Sequence, residues 1–147
     1  MRVCLVHHAD AVGPHVDPQR PLSELGQRQA DWLAHRVKEL GFVPAVIWHS
    51  GKLRSRQTAA AFLHACAPFA QFTMIRGLRS EDPPEWLRDE LAADHRDILL
   101  VGHMPHIDAL VRMLAPGTVL PLNGLVGLER LDDGAWKAWA VVRPDPS

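Results

Sequence analysis

Histidine is the residue type with the widest chemistry in this sequence, and its placement is regular. Nine of the 147 residues are histidines. His7 and His8 come directly after the apolar run RVCLV, His49 ends AVIWH, and His103 comes after DILLVG. An imidazole can act as a nucleophile, a proton carrier or a metal ligand, since its reference pKa of about 6.5 leaves it mostly neutral at pH 7. One such histidine alone is an ordinary strand-end residue that touches solvent, but several together indicate a reaction centre.

Cations and helix starts accompany these histidines. The segment HSGKLRSRQTA (49–59) puts Ser50, Arg54 and Thr58 at the start of a predicted helix. A helix N-terminus with a guanidinium beside it binds anions, because free amides and a forked cation point at the same place. In VGHMPH (101–106), Gly102 allows a tight turn and Pro105 suits the first turn of another helix. Together these residues predict a phosphate pocket with a nitrogen nucleophile.

The elements that must position this chemistry follow an α/β pattern. Apolar runs predict strands over 2–7, 45–50, 71–77 and 97–103, and segments of helical period separate and follow them. Near the C-terminus, GLVGLERL and AWKAWAVV flank DDG, which predicts a closing hairpin. The predicted fold is a three-layer α/β sandwich, a mostly parallel sheet with helices on both faces and the hairpin at its edge. Ligands bind at the carboxyl ends of such strands, where the histidines stand.

Composition narrows the class of protein. We expect a single domain over residues 1–147, with 47% hydrophobic and 22% charged residues and a net charge of -1. This charge predicts neither a nucleic acid nor a membrane as partner, and the short cluster of Lys52, Arg54 and Arg56 suits a single anion. Cys4 and Cys66 lie among apolar residues and are expected to be free thiols. We expect a cytoplasmic protein, because the sequence has no apolar stretch long enough for a membrane span.

Four segments in order carry a specific resemblance. LVHHADA, RPLSELGQRQA, HSGKLRSRQTA and VGHMP resemble the motifs of the histidine phosphatase superfamily, most closely those of the small SixA-type phosphohistidine phosphatases. Those proteins have an R-H-G or R-H-A strand end, then R-P-L-T/S-x-x-G, S-x-x-x-R-x-x-Q-T, and a G-H or S-H pair. The match runs from residue 2 to about Val111 at plausible spacing.

The resemblance implies a role for each matching residue. His8 stands where the family has its nucleophile, Arg54 matches the second phosphate-binding arginine and His103 the second histidine. Ser50 matches the serine before that arginine, and Arg20 is the arginine of R-P-L-S, a neighbour of the pocket. The implied enzyme is a hydrolase that forms a phosphohistidine intermediate without a metal or organic cofactor. Its implied substrate is protein phosphohistidine or a small phosphomonoester, and the sequence does not predict an oligomeric state.

His7 departs from the family pattern, because the first motif begins with arginine. Three alternatives follow. His7 binds phosphate as an imidazolium, whose pKa in the complex would then lie above about 6.5. Arg20 or another cation replaces the missing arginine. Or the protein is a catalytically weakened phosphate- or phosphoprotein-binding module.

Related enzymes that cleave phosphoesters have a carboxylate near the end of the third strand, which protonates the leaving oxygen. In this sequence that region is GLRSEDPPEW, where Glu81 is the candidate general acid and Asp82 is the alternative. Acidic residues before a helix are also common as caps, so a structural role is equally expected.

A third class of function is a metal protein, since His7, His8, His103 and His106 are expected near one crevice. It ranks low, because no cysteine or paired carboxylate joins them at familiar ligand spacing. His15, His49 and His106 are expected to support the site or lie at the surface rather than to act as catalysts, and His35, His64 and His95 are expected on solvent-facing helix positions.

Overall fold

The computed structural model describes residues 1–146, in which strands and helices alternate as predicted. The elements are β1 (Arg2–His7), α1 (Glu24–Glu39), β2 (Val46–His49), α2 (Leu53–Cys66), β3 (Gln71–Met74), α3 (Pro84–Ala93), β4 (Ile98–Gly102), α4 (His106–Leu114), β5 (Leu125–Arg130) and β6 (Trp136–Val142). Within residues 1–146, no helix combines the length and the apolar character that crossing a membrane requires.

One six-stranded sheet organises the chain in the order β3-β2-β4-β1-β5-β6. The strands β1 to β4 run parallel to one another, whereas β5 runs antiparallel to β1 and β6 antiparallel to β5. The mostly parallel sheet and the C-terminal hairpin at its edge are therefore confirmed. β4 lies between β2 and β1, so the carboxyl ends of three chemistry-bearing strands are adjacent.

Helices cover both faces of the sheet because the central strands are apolar on both sides. In β1, Val3 and Leu5 belong to one buried cluster, while Cys4 and Val6 belong to a second. The first cluster includes residues of α3 and α4 (Leu87, Leu91, Ile107, Leu110), and the second includes residues of α1 and α2 (Leu33, Val37, Ala59, Phe62). This is the three-layer sandwich that the continuous apolar runs predict.

Local sequence sets where the helices begin. Ser23 caps α1 as predicted, and its side chain accepts the Gly26 N–H at 3.0 Å. Pro84 is the first residue of α3. A backbone N–H at that position has no partner within the helix, so proline, which lacks one, is favourable there. Gly41 follows α1 with φ +77, a conformation that glycine adopts without strain. These caps fix the ends of the helices that border the site.

The two cysteines are free and buried, as the sequence indicates. Burial raises the pKa of both thiols, that of Cys66 to about 11, so each remains protonated and packs as a small apolar side chain.

Candidate active site

His8 lies just past the carboxyl end of β1 with a defined tautomer. Its backbone N–H donates to the Gly102 carbonyl at 3.1 Å, which continues the pairing of β1 with β4. Its ring Nδ1 lies 2.8 Å from the Ala9 carbonyl oxygen. A carbonyl can only accept, so Nδ1 carries the proton and Nε2 keeps its lone pair. The ring is thus in the form that an imidazole nucleophile requires.

His103 lies beside His8 at the end of β4. The two ring centroids are 5.0 Å apart, close enough for both rings to contact one phosphoryl group. His103 Nε2 and the Ser50 hydroxyl form a hydrogen bond of 2.6 Å, and that hydroxyl also accepts the Lys52 N–H at 3.3 Å. The structure therefore brings together three residues that the sequence assigned to the site, from β1, β2 and β4.

Burial keeps these imidazoles neutral. The pKa of His8 is lowered to about 4, mainly by burial and further by the charges of Arg54 and Arg20, although its bond to the Ala9 carbonyl opposes the shift. The pKa of His103 is lowered to about 3 by burial, by His8 and by Arg54. Desolvation disfavours the charged form of an imidazole, and neighbouring guanidinium groups add to this. At pH 7 both rings are neutral, and His8 is available as a nucleophile.

Arg54 supplies an uncompensated positive charge beside these rings. It lies in the first turn of α2, and burial together with the charge of Arg20 lowers its own pKa. Its Nε is buried without a hydrogen-bond partner among residues 1–146, and none of the four ion pairs found there includes Arg20 or Arg54. Two neighbouring guanidinium groups without a carboxylate favour an anion between or beside them.

Arg20 reaches the site from the loop before α1. Its backbone has φ +51, and its Nε donates to the Val12 carbonyl at 3.0 Å, which fixes the stem of the side chain across the loop. Its charge acts on both His8 and Arg54. Arg20 is therefore close enough to His8 and Arg54 for its charge to act on both.

His7 is buried and hydrogen-bonded in a way that the sequence did not predict. It is 5% exposed, and its ring centroid lies 4.5 Å from that of His8. The Asn123 backbone N–H donates to its Nδ1 at 2.8 Å, so Nδ1 is unprotonated and Nε2 carries the proton. Burial and the neighbouring His8 lower the pKa of His7 to about 3. This geometry disfavours the imidazolium alternative and leaves a neutral ring with one free N–H donor.

Helices α1 and α2 hold the loop that carries His8. Thr58 of α2 accepts the Ala9 N–H at 3.0 Å and donates to the Arg54 carbonyl at 2.8 Å. The Ser23 hydroxyl donates to the Asp10 carboxylate at 2.6 Å. A Cβ at Gly26 would overlap the Asp10 carbonyl, so the first turn of α1 can approach the loop only with glycine there. This contact explains the glycine of RPLSELG.

The two acid candidates lie at the surface beyond β3. Glu81 is exposed and accepts a hydrogen bond from the Ser80 hydroxyl at 2.9 Å. Asp82 accepts the Arg79 N–H at 2.9 Å and lines a cleft of about 360 Å³ together with Ser50 and residues such as Trp86. The structure thus puts Asp82, rather than Glu81, in the cleft that adjoins the site.

The remaining six histidines comprise two buried rings and four exposed ones. His106 is buried at the start of α4, and His49 is buried at the end of β2, where its Nδ1 accepts the Gly51 N–H at 3.0 Å. His15, His35, His64 and His95 are exposed. Among residues 1–146, no group of three histidine, cysteine or acidic side chains has an arrangement that could hold a metal ion.

Two residues near the site escaped the sequence analysis. Ser55 accepts the Ser50 N–H at 3.1 Å and donates to the Val101 carbonyl at 2.8 Å, which ties α2 to the ends of β2 and β4. Asn123 contacts both His7 and His8. The Asn123-Gly124 pair is a turn signal that the sequence offers, but nothing in it indicates which histidines the turn meets.

Comparison with known proteins identifies the class. Residues 5–86 match the histidine phosphatase superfamily (branch 1), and the chain belongs to this family. Family membership supports phosphatase activity.

Solved structures point to a particular branch of such enzymes. The chain is similar to a structure assigned as the phosphohistidine phosphatase SixA from Agrobacterium tumefaciens, with 25% identity and a TM-score of 0.82, covering 97% of both chains. A structure assigned as the phosphohistidine phosphatase SixA from Nakamurella multipartitia has 25% identity and a TM-score of 0.72, covering 97% of this chain and 95% of that one. The protein histidine phosphatase SixA complexed with tungstate has the same fold, with 20% identity and a TM-score of 0.84, covering 99% and 97%. No curated protein sequence matches at a significant level.

Proposed function

We propose that this protein removes the phosphoryl group from phosphohistidine in other proteins, with His8 as the nucleophile. The observation that carries the proposal is the pairing of His8 and His103, whose ring centroids are 5.0 Å apart, next to the unpartnered Arg54 guanidinium. A neutral His8 with Nδ1 bound to a carbonyl presents Nε2 as a lone pair, and the guanidinium offers charge for a phosphoryl group.

The first step transfers the phosphoryl group between two imidazoles. The Nε2 lone pair of His8 forms a bond to phosphorus while the P–N bond to the substrate ring breaks, and the electron pair returns to the substrate nitrogen. Each ring keeps the proton on its other nitrogen, so the transfer needs no proton movement when the substrate ring is protonated there. The hydrogen bond from Nδ1 to the Ala9 carbonyl stabilises the positive charge that the phosphorylated His8 ring acquires.

The second step is hydrolysis. Water attacks the phosphorus of phospho-His8, the P–N bond breaks, and its electron pair restores the neutral ring. The water oxygen remains on phosphorus, and the protons of water pass to the phosphate or to solvent. In both steps Arg54 neutralises charge on the equatorial oxygens, and His103, held by the Ser50 hydroxyl, is a further contact for them.

The nature of the leaving group supports phosphohistidine over an alkyl phosphate. A neutral imidazole leaves readily, whereas an alkoxide requires a proton from a general acid. Glu81 is exposed and accepts a hydrogen bond from the Ser80 hydroxyl, and Asp82 accepts one from the Arg79 N–H. A site with two adjacent imidazoles, and with candidate acids whose hydrogen bonds go to Ser80 and Arg79 instead, fits the substrate that needs least acid assistance. The similarity to structures assigned as phosphohistidine phosphatases supports the same substrate class.

The proposal treats residues 1–147 as one cytoplasmic domain that acts without cofactor. The coverage of 97% of both chains in the comparison with the Agrobacterium tumefaciens structure supports a single domain over these residues. The cytoplasmic location stays a prediction from the sequence.

The test compares substrates and traps the intermediate. A peptide that contains phosphohistidine and a peptide with phosphoserine at that position and the same flanking sequence are each incubated with the protein. Released phosphate is measured. We expect turnover of the phosphohistidine peptide to exceed that of phosphoserine by about 100-fold or more. A rapid alkaline quench with labelled substrate should trap acid-labile phosphate on the protein.

Two variants assign the label. His8→Ala should abolish both the label and turnover, whereas His64→Ala, an exposed position on α2, should leave both unchanged. Label that persists in His8→Ala would place the nucleophile elsewhere. Tight binding of the phosphohistidine peptide without release of phosphate would reject the enzyme in favour of the phosphoprotein-binding module.

A further inference from the structure

We infer that Asn123 is a positioning residue that holds His7 as its neutral Nε2–H tautomer, so that His7 gives the phosphoryl group an uncharged hydrogen-bond donor in place of arginine. The inference deepens the proposed function and rests on it for the identity of the anion. It gives His7 a role that differs from all three alternatives derived from the sequence, because neither an imidazolium nor a substitute cation is involved.

The turn before β5 sets the position of Asn123. The Gly124 N–H donates to the Pro121 carbonyl at 3.0 Å, which closes a tight turn. Asn123 is the third residue of this turn and has φ +55, a left-handed conformation that asparagine tolerates better than most residues. A Cβ at Gly124 would overlap the Val142 carbonyl and Pro121, so the Asn-Gly pair suits this turn at both positions.

Three hydrogen bonds join this turn to the end of β1. The Asn123 backbone N–H donates to His7 Nδ1 at 2.8 Å, and its side-chain Nδ2 donates to the His8 carbonyl at 2.8 Å. The His7 backbone N–H donates to the Gly124 carbonyl at 3.0 Å. The turn therefore fixes the ring of His7, the main chain on either side of it, and the peptide that carries the nucleophile.

These contacts dictate what His7 can offer a ligand. A protonated Nδ1 would direct its N–H at the Asn123 N–H, so the charged ring would lose this bond and gain a repulsion. The neutral ring has its only proton on Nε2, on the side away from Asn123. The ionisable neighbours of the ring are His8 on its own strand end and His103 from β4, and both are neutral at pH 7. Charge compensation for the anion then falls to Arg54 and Arg20.

The tautomer can be observed directly. In protein labelled with ¹⁵N-histidine, long-range ¹H–¹⁵N correlation spectra distinguish protonated from unprotonated ring nitrogens, and His7→Gln assigns the signals of His7. We expect unprotonated Nδ1 and protonated Nε2 at pH 7, with and without inorganic phosphate. A His7 ring that is protonated on Nδ1, or on both nitrogens, would overturn the inference.

Two Asn123 variants separate the main-chain and side-chain contacts. Asn123→Gly keeps the backbone N–H and permits the left-handed turn, so the His7 tautomer should persist while the bond to the His8 carbonyl is lost. Asn123→Ala disfavours φ +55, so the N–H should leave Nδ1 and the tautomers should mix. Amide spectra establish that each variant is folded. An unchanged pure tautomer in folded Asn123→Ala would show that Asn123 does not position the ring.

Two His7 variants test the donor. His7→Gln places an amide N–H close to the position of Nε2, whereas His7→Phe fills the space without a donor. The measured quantity is the dissociation constant for inorganic phosphate. We expect His7→Phe to bind phosphate roughly 10- to 100-fold more weakly, because it loses one hydrogen bond to a charged group. The dissociation constant of His7→Gln should stay within a few fold of that of the unmodified protein. Equal affinities in all three would remove the donor role.

These readouts separate the inference from the proposed function. Neither the tautomer nor phosphate affinity requires turnover of phosphohistidine. If the expected tautomer and affinity order are found but phosphohistidine is not hydrolysed, the function fails and the role of Asn123 stands. If phosphohistidine is hydrolysed with His8 as nucleophile but the His7 tautomer differs, the function stands and the inference fails.

Discussion

The carboxyl ends of the central strands differ from the loop beyond the edge strand in how firmly their polar groups are held. At the centre, His7, His8 and His103 are buried or half-buried, and each ring has one nitrogen in a hydrogen bond to the chain. Beyond β3, the loop over residues 75–83 contains Glu81, which is exposed and accepts a hydrogen bond from the hydroxyl of the adjacent Ser80. Both regions lie at the same edge of the sheet.

The two regions differ in preorganisation because their strands differ in burial. Central strands are covered on both faces, so their ends are desolvated and their imidazoles are held neutral, with His7 and His8 each in one tautomer. The edge strand β3 is mostly exposed, and of the two carboxylates in the loop that follows it, Glu81 is exposed, while Asp82 is half-buried and accepts the Arg79 N–H. Under the proposed function, the groups that receive the phosphoryl group are preorganised, whereas the loop beyond β3, which we propose faces the leaving group, is open. A large protein substrate with an imidazole leaving group matches that division.

The largest effect is expected at Arg54, the cation of the preorganised side. Arg54→Ala should lower kcat/KM for a phosphohistidine peptide by about 10²- to 10³-fold, the cost of removing a donor that stabilises transition-state charge. Arg54→Lys should recover only part of this loss, because an ammonium group cannot bind two oxygens in a fork. Arg56→Ala, an exposed arginine on the same helix, is the matched control and should change the rate by less than about threefold. Equal losses for both arginines would mean that bulk charge, not position, matters.

A second effect concerns stability in acid, because the buried imidazoles resist protonation. Their pKa values in the folded protein, about 3 for His7 and about 4 for His8, lie below about 6.5 in the unfolded chain. Between these values the unfolded chain binds more protons, so stability is full above about pH 6.5 and falls as the pH decreases. Urea unfolding at pH 7 and pH 5.5 measures the loss, which has an upper limit of about 1.4 kcal/mol per pH unit for each histidine.

The variant His7→Gln isolates one of these histidines. It should show a smaller loss of stability between pH 7 and pH 5.5 than the unmodified protein, because one resistant ring has been removed. An identical pH dependence would mean that His7 titrates in the folded protein as it does in the unfolded chain.

The smallest effect is expected in the open region. Glu81→Gln and Asp82→Asn should each change kcat/KM for a phosphohistidine peptide by less than about threefold, because transfer between two imidazoles requires no general acid. Asp82→Asn retains an acceptor for the Arg79 N–H, so the loop should keep its shape. A loss of 100-fold or more in either variant would identify a general acid and move the proposal towards phosphomonoesters.

Much of the fold followed from local pattern. Continuous apolar runs predicted central strands covered on both faces, Ser23 predicted the start of α1, and the DDG segment predicted the terminal hairpin. The extent of β3 was less predictable: the run over 71–77 suggested a longer strand, but only Gln71–Met74 pairs with β2. An edge strand has one neighbour, so its length depends on that neighbour's length as much as on its own residues.

For the site, the sequence placed His8, His103, Ser50 and Arg54 at one edge, because strand ends and helix starts can be read from periodicity. It did not provide the strand order, which puts β4 between β2 and β1 and so sets His103 beside His8. Sequence spacing indicates that residues share an edge. Their order along it depends on how the helices cross over the sheet.

The sequence alone shows that histidines follow the buried strands and that a histidine stands in the position of the family's first arginine. Its tautomer and hydrogen bonds depend on the tertiary structure. Asn123 lies 116 positions further along the chain. Its N–H reaches His7 because β5 pairs with β1 and because Asn123, in the turn before β5, has a left-handed backbone conformation. The tautomer of an imidazole is set by whichever group contacts each nitrogen, and such contacts between distant segments arise only when the sheet has formed.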